Sequence, residues 1–229
     1  MIQHIFLDLD DTIFDFKKAE RIALSRTLRE EGIKPTEHIL NRYSEINLSQ
    51  WKLLELGKLT REEVLVRRYE ILFQEVGMSC DAKKISEKYE DFLGEGHYFI
   101  PGAKELLEDL SKKYHLYLAS NGAVKVQMSR IQSAGIEKYL EKIFLSEQIG
   151  YEKPSPQFFE KCFAQIPDFK KEEALILGDS LTSDIRGGSN AGLRTVWFNP
   201  HGKEPRADIR PSYTIHALSE LLPLLASMQ

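Results

Sequence analysis

Short apolar runs and helix-like segments alternate along much of the chain. The first run, Ile5-Phe6-Leu7, lies near the N-terminus and leads directly into Asp8 and Asp10. A short apolar run of this kind predicts a strand that is buried on both faces, as in parallel sheets. Further runs of the same character predict strands at 115–119, 142–145, 174–177 and 194–198.

Segments in which apolar residues recur at helical spacing separate these strands. They predict helices at 101–113, 124–134, 156–165, 183–191 and 217–225. Strands that alternate with helices favour right-handed crossovers, which place helices on both faces of a parallel sheet. The sequence therefore predicts an α/β fold with a three-layer, Rossmann-like core.

The alternation is interrupted after the first strand, where four helix-like segments follow one another. They cover 17–31, 37–56, 60–76 and 81–93, with glycines between them that are typical of helix C-termini. We expect a helical cap domain at 15–95, inserted into a core that is formed by 1–14 and 96–229. Because this insertion follows the first strand, it would overhang the carboxyl ends of the strands as a lid.

Composition limits the classes of function that the chain can have. The 229 residues include 31 Lys and Arg against 35 Asp and Glu, a formal net charge of −4, which argues against binding to nucleic-acid polymers. Cys80 and Cys162 form no metal or redox motif, which favours a reducing compartment. No apolar run is long enough to span a membrane and no signal-peptide pattern is present, so we expect a cytoplasmic protein. We expect it to be a monomer or a homodimer.

Polar side chains follow four of the predicted strands. Since the carboxyl ends of parallel strands meet at one edge of a sheet, these side chains are expected to lie together. Carboxylates gathered there would suit a hard divalent cation such as Mg²⁺, and a lysine with hydroxyl groups would suit a phosphate. The candidate residues are Asp8, Asp10, Thr12, Ser120, Asn121, Lys153, Asp179 and Asp184.

Each of these signals has a structural explanation when it is taken alone. Thr12 could cap a helix, Ser120-Asn121 could form an ordinary turn, and Lys153 could be an exposed loop lysine. Asp184 could simply favour a helix N-terminus. The order of the residues, their position after strands and their chemistry together favour a functional site.

The same residues resemble the four motifs of the haloacid dehalogenase (HAD) superfamily. These motifs are Asp8-Leu9-Asp10-Asp11-Thr12, then Ser120, then Lys153, and finally Gly178-Asp179 with Asp184. The resemblance covers the whole chain, and the inserted helices resemble the C1 type of cap. It implies a phosphotransferase core whose activity is Mg²⁺-dependent hydrolysis of phosphate monoesters.

The resemblance also implies a role for each motif residue. Asp8 would be the nucleophile that forms an aspartyl-phosphate, and Asp10 would be the general acid and then the base. The Asp8 carboxylate, the Asp10 carbonyl and Asp179 would bind Mg²⁺, while Asp184 would hold a metal-bound water or Lys153. Thr12, Ser120, Asn121 and Lys153 would contact the phosphate.

The string from Asp8 to Phe16 is similar to that of the YjjG-type pyrimidine 5′-nucleotidases within this superfamily. The resemblance implies a nucleoside monophosphate as the substrate. Phe16 is our candidate for stacking on the base, ahead of the cap aromatics Tyr43, Trp51 and Tyr69, which fit a helical core equally well. The carboxylate of Asp10 disfavours a dehalogenase, because dehalogenases of the superfamily lack an acid there.

Three other functions stay open from the sequence. The first is a sugar-phosphate phosphatase or a phosphomutase of the same superfamily. The second is a receiver-type regulator that carries a phospho-aspartate as a signal, although receivers lack a helical insertion after the acids. The third is a binding module without activity, which the full set of reactive groups disfavours.

Overall fold

The computed structural model describes residues 1–228 and has a sheet of six parallel strands at its centre. The order of the strands across the sheet is β3-β2-β1-β4-β5-β6. The first strand therefore lies in the middle of the sheet, paired with β2 on one side and with β4 on the other. The strands are β1 (His4–Leu7), β2 (His115–Ser120), β3 (Lys142–Leu145), β4 (Ala174–Gly178), β5 (Arg194–Phe198) and β6 (Tyr213–Ile215).

Helices cover both faces of this sheet, which confirms the predicted α/β, Rossmann-like architecture. Ile5 and Leu7 share one apolar cluster with residues of α5, α6 and α10. Phe6, whose side chain points to the other face, packs with residues of α8 and α9. These helices are α5 (Ala103–Ser111), α6 (Val124–Ala134), α7 (Ser146–Ile149), α8 (Pro156–Phe163), α9 (Arg186–Ala191) and α10 (Leu221–Ser227).

Four helices occupy the chain between β1 and α5, and they share an apolar cluster to which α6 adds Val126. They are α1 (Phe16–Glu30), α2 (Glu37–Glu55), α3 (Arg61–Glu75) and α4 (Ala82–Glu95). A capping box begins α3, since the Thr60 side chain accepts from the Glu63 amide and the Glu63 side chain accepts from the Thr60 amide. Glycines with positive φ follow α1, α2 and α3, because each helix ends in a left-handed turn.

Two local features differ from the prediction. The short edge strand β6 was not predicted, because three residues of which only Ile215 is buried give little apolar pattern. The helix predicted at 183–191 begins earlier, as a π-helical turn at Leu181–Ile185, and continues as α9. Within residues 1–228 no helix is both long and apolar enough to cross a membrane.

Candidate active site

Asp8 and Lys153 meet at the carboxyl end of β1, although 145 positions separate them in the chain. The Lys153 ammonium donates to Asp8 Oδ1 at 2.7 Å, to Asp184 Oδ1 at 2.6 Å and to the Ala119 carbonyl at 2.6 Å. Lys153 is only 1% exposed, so its charge is neutralised by these two carboxylates instead of by water. The lysine that was predicted to follow the third strand is therefore placed beside the predicted nucleophile.

Asn121 fixes the backbone that carries this lysine. Its Nδ2 donates to the Lys153 carbonyl at 2.8 Å, and its Oδ1 accepts from the Lys153 amide at 2.9 Å. Both ends of the Asn121 amide are therefore engaged by one residue of the chain. The observed contacts hold the Lys153 loop against the end of β2, and a contact between Asn121 and a phosphate stays a prediction.

Three carboxylates lie together at this edge of the sheet. One oxygen each from Asp8, Asp179 and Asp184 falls within 4.8 Å of the others. Asp184 comes this close because residue 178 is a glycine: a Cβ on Gly178 would lie 2.3 Å from Asp184 Cγ. The other oxygen of Asp184 accepts from the Ser180 amide at 3.0 Å, so the carboxylate is held from both sides.

The electrostatics of this cluster suit a bound cation. Burial, together with the nearby charge of Asp184, raises the pKa of Asp8 to about 7 despite the opposing effect of Lys153. Burial and the charges of Asp184 and Asp8 also raise the pKa of Asp179 well above its usual range. Oxygen ligands that repel one another in a buried site are the donor set that Mg²⁺ prefers. The residues present therefore fit a hard divalent cation.

The Asp10 carboxylate is held by two side chains that the sequence analysis did not single out. Gln127 Nε2 donates to its Oδ2 at 2.7 Å, and the Arg130 guanidinium forms an ion pair with its Oδ1. Both partners lie one turn apart on α6, and Arg130 is fully buried. Their spacing of three was visible in the sequence, but a buried face of α6 would show the same spacing.

Thr12 and Ser120 complete the polar end of the site. The Thr12 hydroxyl lies 3.4 Å from Asp8 Oδ2, and the Ser120 hydroxyl accepts from Gln127 Nε2 at 2.9 Å. Both residues are almost fully buried, at 0% and 2% exposed. The structure thus brings all of the predicted core residues to one place.

A cavity of about 420 Å³ extends from these residues to the inserted helices. Phe16 and Trp51 line it, as the base-stacking hypothesis requires. Tyr43 and Tyr69 do not; they are fully buried in the apolar cluster of the four helices, with their hydroxyls 2.8 Å apart. Two of the four candidate aromatics are therefore core residues, and two have access to a ligand.

Arg61, which no sequence pattern distinguishes, connects the inserted helices to the sheet edge. It is the first residue of α3, where a cation is disfavoured by the helix dipole. Its guanidinium donates to the Asn121 carbonyl at 2.8 Å, to the Ser146 hydroxyl and to Glu152 at 3.3 Å. Since Asn121 and Glu152 flank Ser120 and Lys153, Arg61 links the position of the helices to that of the site.

Comparison with known proteins agrees with this geometry. Residues 5–198 match the model of the haloacid dehalogenase-like hydrolase family. The chain is 40% identical to the HAD-hydrolase YfnB of Bacillus subtilis over 96% of this chain and 94% of that protein. A crystal structure of YfnB bound to magnesium superimposes with a TM-score of 0.94, at 39% identity and 98% coverage of both chains.

Two further relatives bear on the substrate. The pyrimidine 5′-nucleotidase PynA of Streptococcus pneumoniae is 37% identical, over 96% of this chain and 94% of its own length. The pyrimidine 5′-nucleotidase YjjG of Escherichia coli is 28% identical, over 96% of each chain. The resemblance to YjjG-type enzymes that the first motif indicated is thus confirmed over nearly the whole length.

Proposed function

Because the chain belongs to the haloacid dehalogenase-like hydrolase family, we propose that it hydrolyses phosphate monoesters, with pyrimidine nucleoside 5′-monophosphates as substrates. The observation that carries this proposal is the contact of Lys153 with both Asp8 and Asp184, beside an Asp10 that is held separately. Such an arrangement supplies a nucleophile, a phosphate-binding cation and an acid within one cavity.

Asp8 is the nucleophile of the proposed reaction. Its carboxylate attacks phosphorus, the bond from phosphorus to the leaving oxygen breaks, and an aspartyl-phosphate forms. Lys153 offsets the negative charge on the transferring group, while Thr12 and Ser120 offer hydroxyl donors to its oxygens. Water then attacks the phosphorus of the aspartyl-phosphate, which releases inorganic phosphate and restores Asp8.

Asp10 is the general acid and then the general base of the proposed reaction. In the first step it protonates the leaving oxygen, and in the second it takes the proton of the attacking water. Its ion pair with Arg130 and its hydrogen bond from Gln127 fix its orientation. The same arrangement is unsuited to the hydrolysis of a carbon–halogen bond, since a halide leaves without a proton.

In this proposal Mg²⁺ would be held by Asp8, Asp179 and the Asp10 carbonyl. Asp184 would not bind the ion directly. The ion would neutralise charge on the phosphate oxygens and allow two carboxylates to remain ionised in a buried site. The raised pKa of Asp179 agrees with a position that requires a cation. Asp184, whose two oxygens already accept from Lys153 and Ser180, orients the lysine.

The inserted helices supply the wall that meets the leaving group. We propose that residues 15–95 act as a cap, and that Phe16 and Trp51 contact the base from this wall. A cavity of about 420 Å³ is of the size that ligand pockets usually have. The names of two relatives, PynA and YjjG, support a pyrimidine nucleotide over other monoesters.

The test is release of inorganic phosphate from a panel of nucleoside and sugar monophosphates, with and without Mg²⁺. We expect uridine and cytidine 5′-monophosphates to be the best substrates, and no turnover after removal of the metal. Asp8→Asn should abolish turnover while circular dichroism and the melting temperature show an intact fold. Undiminished turnover by that variant would exclude Asp8 as the nucleophile and overturn the proposal.

A further inference from the structure

One cationic side chain on the cap wall of the cavity lacks a full set of partners. Arg68, on α3, is only 2% exposed and lines the cavity together with Phe16 and Trp51. Its Nη1 donates to Asn47 Oδ1 at 3.0 Å, and its Nε donates to the Leu65 carbonyl at 3.2 Å. Its Nη2 is buried and has no hydrogen-bond partner among residues 1–228.

The rest of the guanidinium is held rigidly. Its carbon lies 5.0 Å, 5.2 Å and 5.9 Å from the ring centres of Tyr89, Tyr69 and Tyr43. These three tyrosines are fully buried in the cluster of the four helices. Asn47, which accepts from Arg68, donates in turn to Glu20 at 2.7 Å. The side chain therefore cannot swing out to water without breaking the cap core.

This placement is costly for the free protein. Within residues 1–228 Arg68 forms no ion pair within 4 Å; aromatic faces surround its buried charge, and Glu20 and Glu90 interact with it only from a greater distance. A buried donor without an acceptor costs about 1–3 kcal/mol, and more when it is charged. An acceptor atom of a ligand in the cavity would recover this cost.

The same wall indicates which kind of acceptor fits. Glu90 lines the cavity as well and lies close enough to Arg68 for the two charges to interact, so an anionic group beside Arg68 would also face an acidic side chain. Phe16 and Trp51 offer flat apolar surfaces. A neutral, planar leaving group that carries a carbonyl oxygen matches all of these features.

We propose that Arg68 is the residue by which the cap recognises the leaving group, through donation from Nη2 to a carbonyl oxygen of a pyrimidine base. The inference rests on the proposed function and adds the specificity-determining residue to it. Uracil, cytosine and thymine all carry a carbonyl at C2, whereas adenine carries none. Arg68 therefore selects pyrimidine over adenine nucleotides, and it contributes nothing to a leaving group without a base.

The experiment compares kcat/KM for uridine 5′-monophosphate, adenosine 5′-monophosphate and ribose 5-phosphate, in the wild type and in Arg68→Lys. Lysine keeps the charge and the aliphatic stem but loses the forked donors. We expect the ratio of the uridine substrate to ribose 5-phosphate to fall about 10- to 100-fold in Arg68→Lys, since a charged donor is lost. Arg67→Lys, an exposed neighbour on the same helix, is the matched control and should leave the ratio unchanged.

Three results would overturn this inference and leave the phosphatase proposal intact. An equal loss on all three substrates would make Arg68 a structural residue only. A larger loss on a carboxylate-bearing ester such as 3-phosphoglycerate would assign it to an anionic leaving group. If Arg68→Lys does not fold, the wild-type protein alone tests the inference. Equal kcat/KM for the adenosine and uridine substrates would contradict recognition of a base carbonyl. Failure of the wild type to hydrolyse any monoester would instead refute the proposed function.

Discussion

Replacing Gly178 with alanine tests whether the position of Asp184 controls the reaction. Gly178 ends β4 and does not need a positive φ, so alanine is compatible with its backbone. The added Cβ would nevertheless lie 2.3 Å from both Cγ and Oδ2 of Asp184, a distance that real side chains do not tolerate. The backbone of a central strand cannot retreat, so the Asp184 carboxylate must move.

The size of the effect follows from the contacts that this movement breaks. Relief of the clash requires a shift of roughly 1 Å, and Lys153 Nζ and the Ser180 amide now lie 2.6 Å and 3.0 Å from the two oxygens. A shift of that size takes one or both contacts beyond hydrogen-bond range. A hydrogen bond to a charged group contributes about 1.5–3 kcal/mol, which corresponds to a loss of about 10- to 150-fold.

The assay is kcat/KM with p-nitrophenyl phosphate and with uridine 5′-monophosphate, together with thermal denaturation. Both substrates should lose activity equally, because in the proposed reaction Lys153 contacts the phosphate and not the leaving group. Gly94→Ala is the matched control: Gly94 is also buried, but a Cβ there would meet only the Ser129 side chain at 3.4 Å. In the helix α4 that change should be neutral or slightly stabilising.

A Gly178→Ala variant with activity within about twofold of the wild type would refute this reasoning. It would mean that Lys153 keeps its position without Asp184, and that the cluster tolerates a displaced carboxylate. A large loss of melting temperature in Gly178→Ala would instead show that the strand, and not the carboxylate, had moved.

Four other predictions concern the metal, the cap and the cysteines. Because burial raises the pKa of Asp8 from 3.8 to about 7, the folded state favours its protonated form, so the melting temperature of the metal-free protein should fall as the pH rises from about 4 to about 7. Stabilisation by added Mg²⁺ should grow over the same range, and a pH-independent shift in differential scanning fluorimetry would contradict this. Arg61→Ala should lower kcat/KM about tenfold for every substrate, since it removes the contacts between α3 and the sheet edge; a loss on nucleotides alone would be inconsistent with that role. Phe16→Ala should raise KM for nucleotides far more than for p-nitrophenyl phosphate, and equal effects on both would argue against a base contact. Burial raises the pKa of the Cys162 thiol to about 12, so alkylation of the native protein at neutral pH should modify the half-buried Cys80 alone, as read by mass spectrometry.

The core of the fold could be predicted because its strands are buried on both faces. In runs such as Ile5-Phe6-Leu7 every residue is apolar, without the alternation of apolar and polar residues that a half-exposed strand shows. This pattern is typical of a strand that is buried on both faces. β6 escaped prediction for the opposite reason, since an edge strand of three residues buries only Ile215. The π-helical turn at Leu181–Ile185 depends on how the Ser180 and Asp184 side chains fold back on the backbone, which no periodicity records.

Some residues of the site could likewise be predicted from the sequence, and others could not. Residues that follow strands, such as Asp8 and Lys153, could be found from order and position, whereas Arg61, Arg68 and Arg130 lie inside helices. Their spacing is that of an ordinary helix, and only the packing of the elements against one another brings Arg68 and Arg130 to the cavity and Arg61 to the sheet edge. The roles of the site residues, and the division into a core and a cap at 15–95, stay predictions until the variants are measured.

The central position of β1 also determines when this protein can become active during synthesis. Its two pairing partners, at 115–120 and 174–178, leave the ribosome long after β1 does. Lys153 and Asp184 are also synthesised long after β1. Until then its backbone groups have no strand partners, while the four helices that follow it already share most of one apolar cluster, to which α6 later adds Val126. We therefore expect the helices between β1 and α5 to order in the nascent chain before the sheet edge that brings Asp8, Lys153 and Asp184 together is complete.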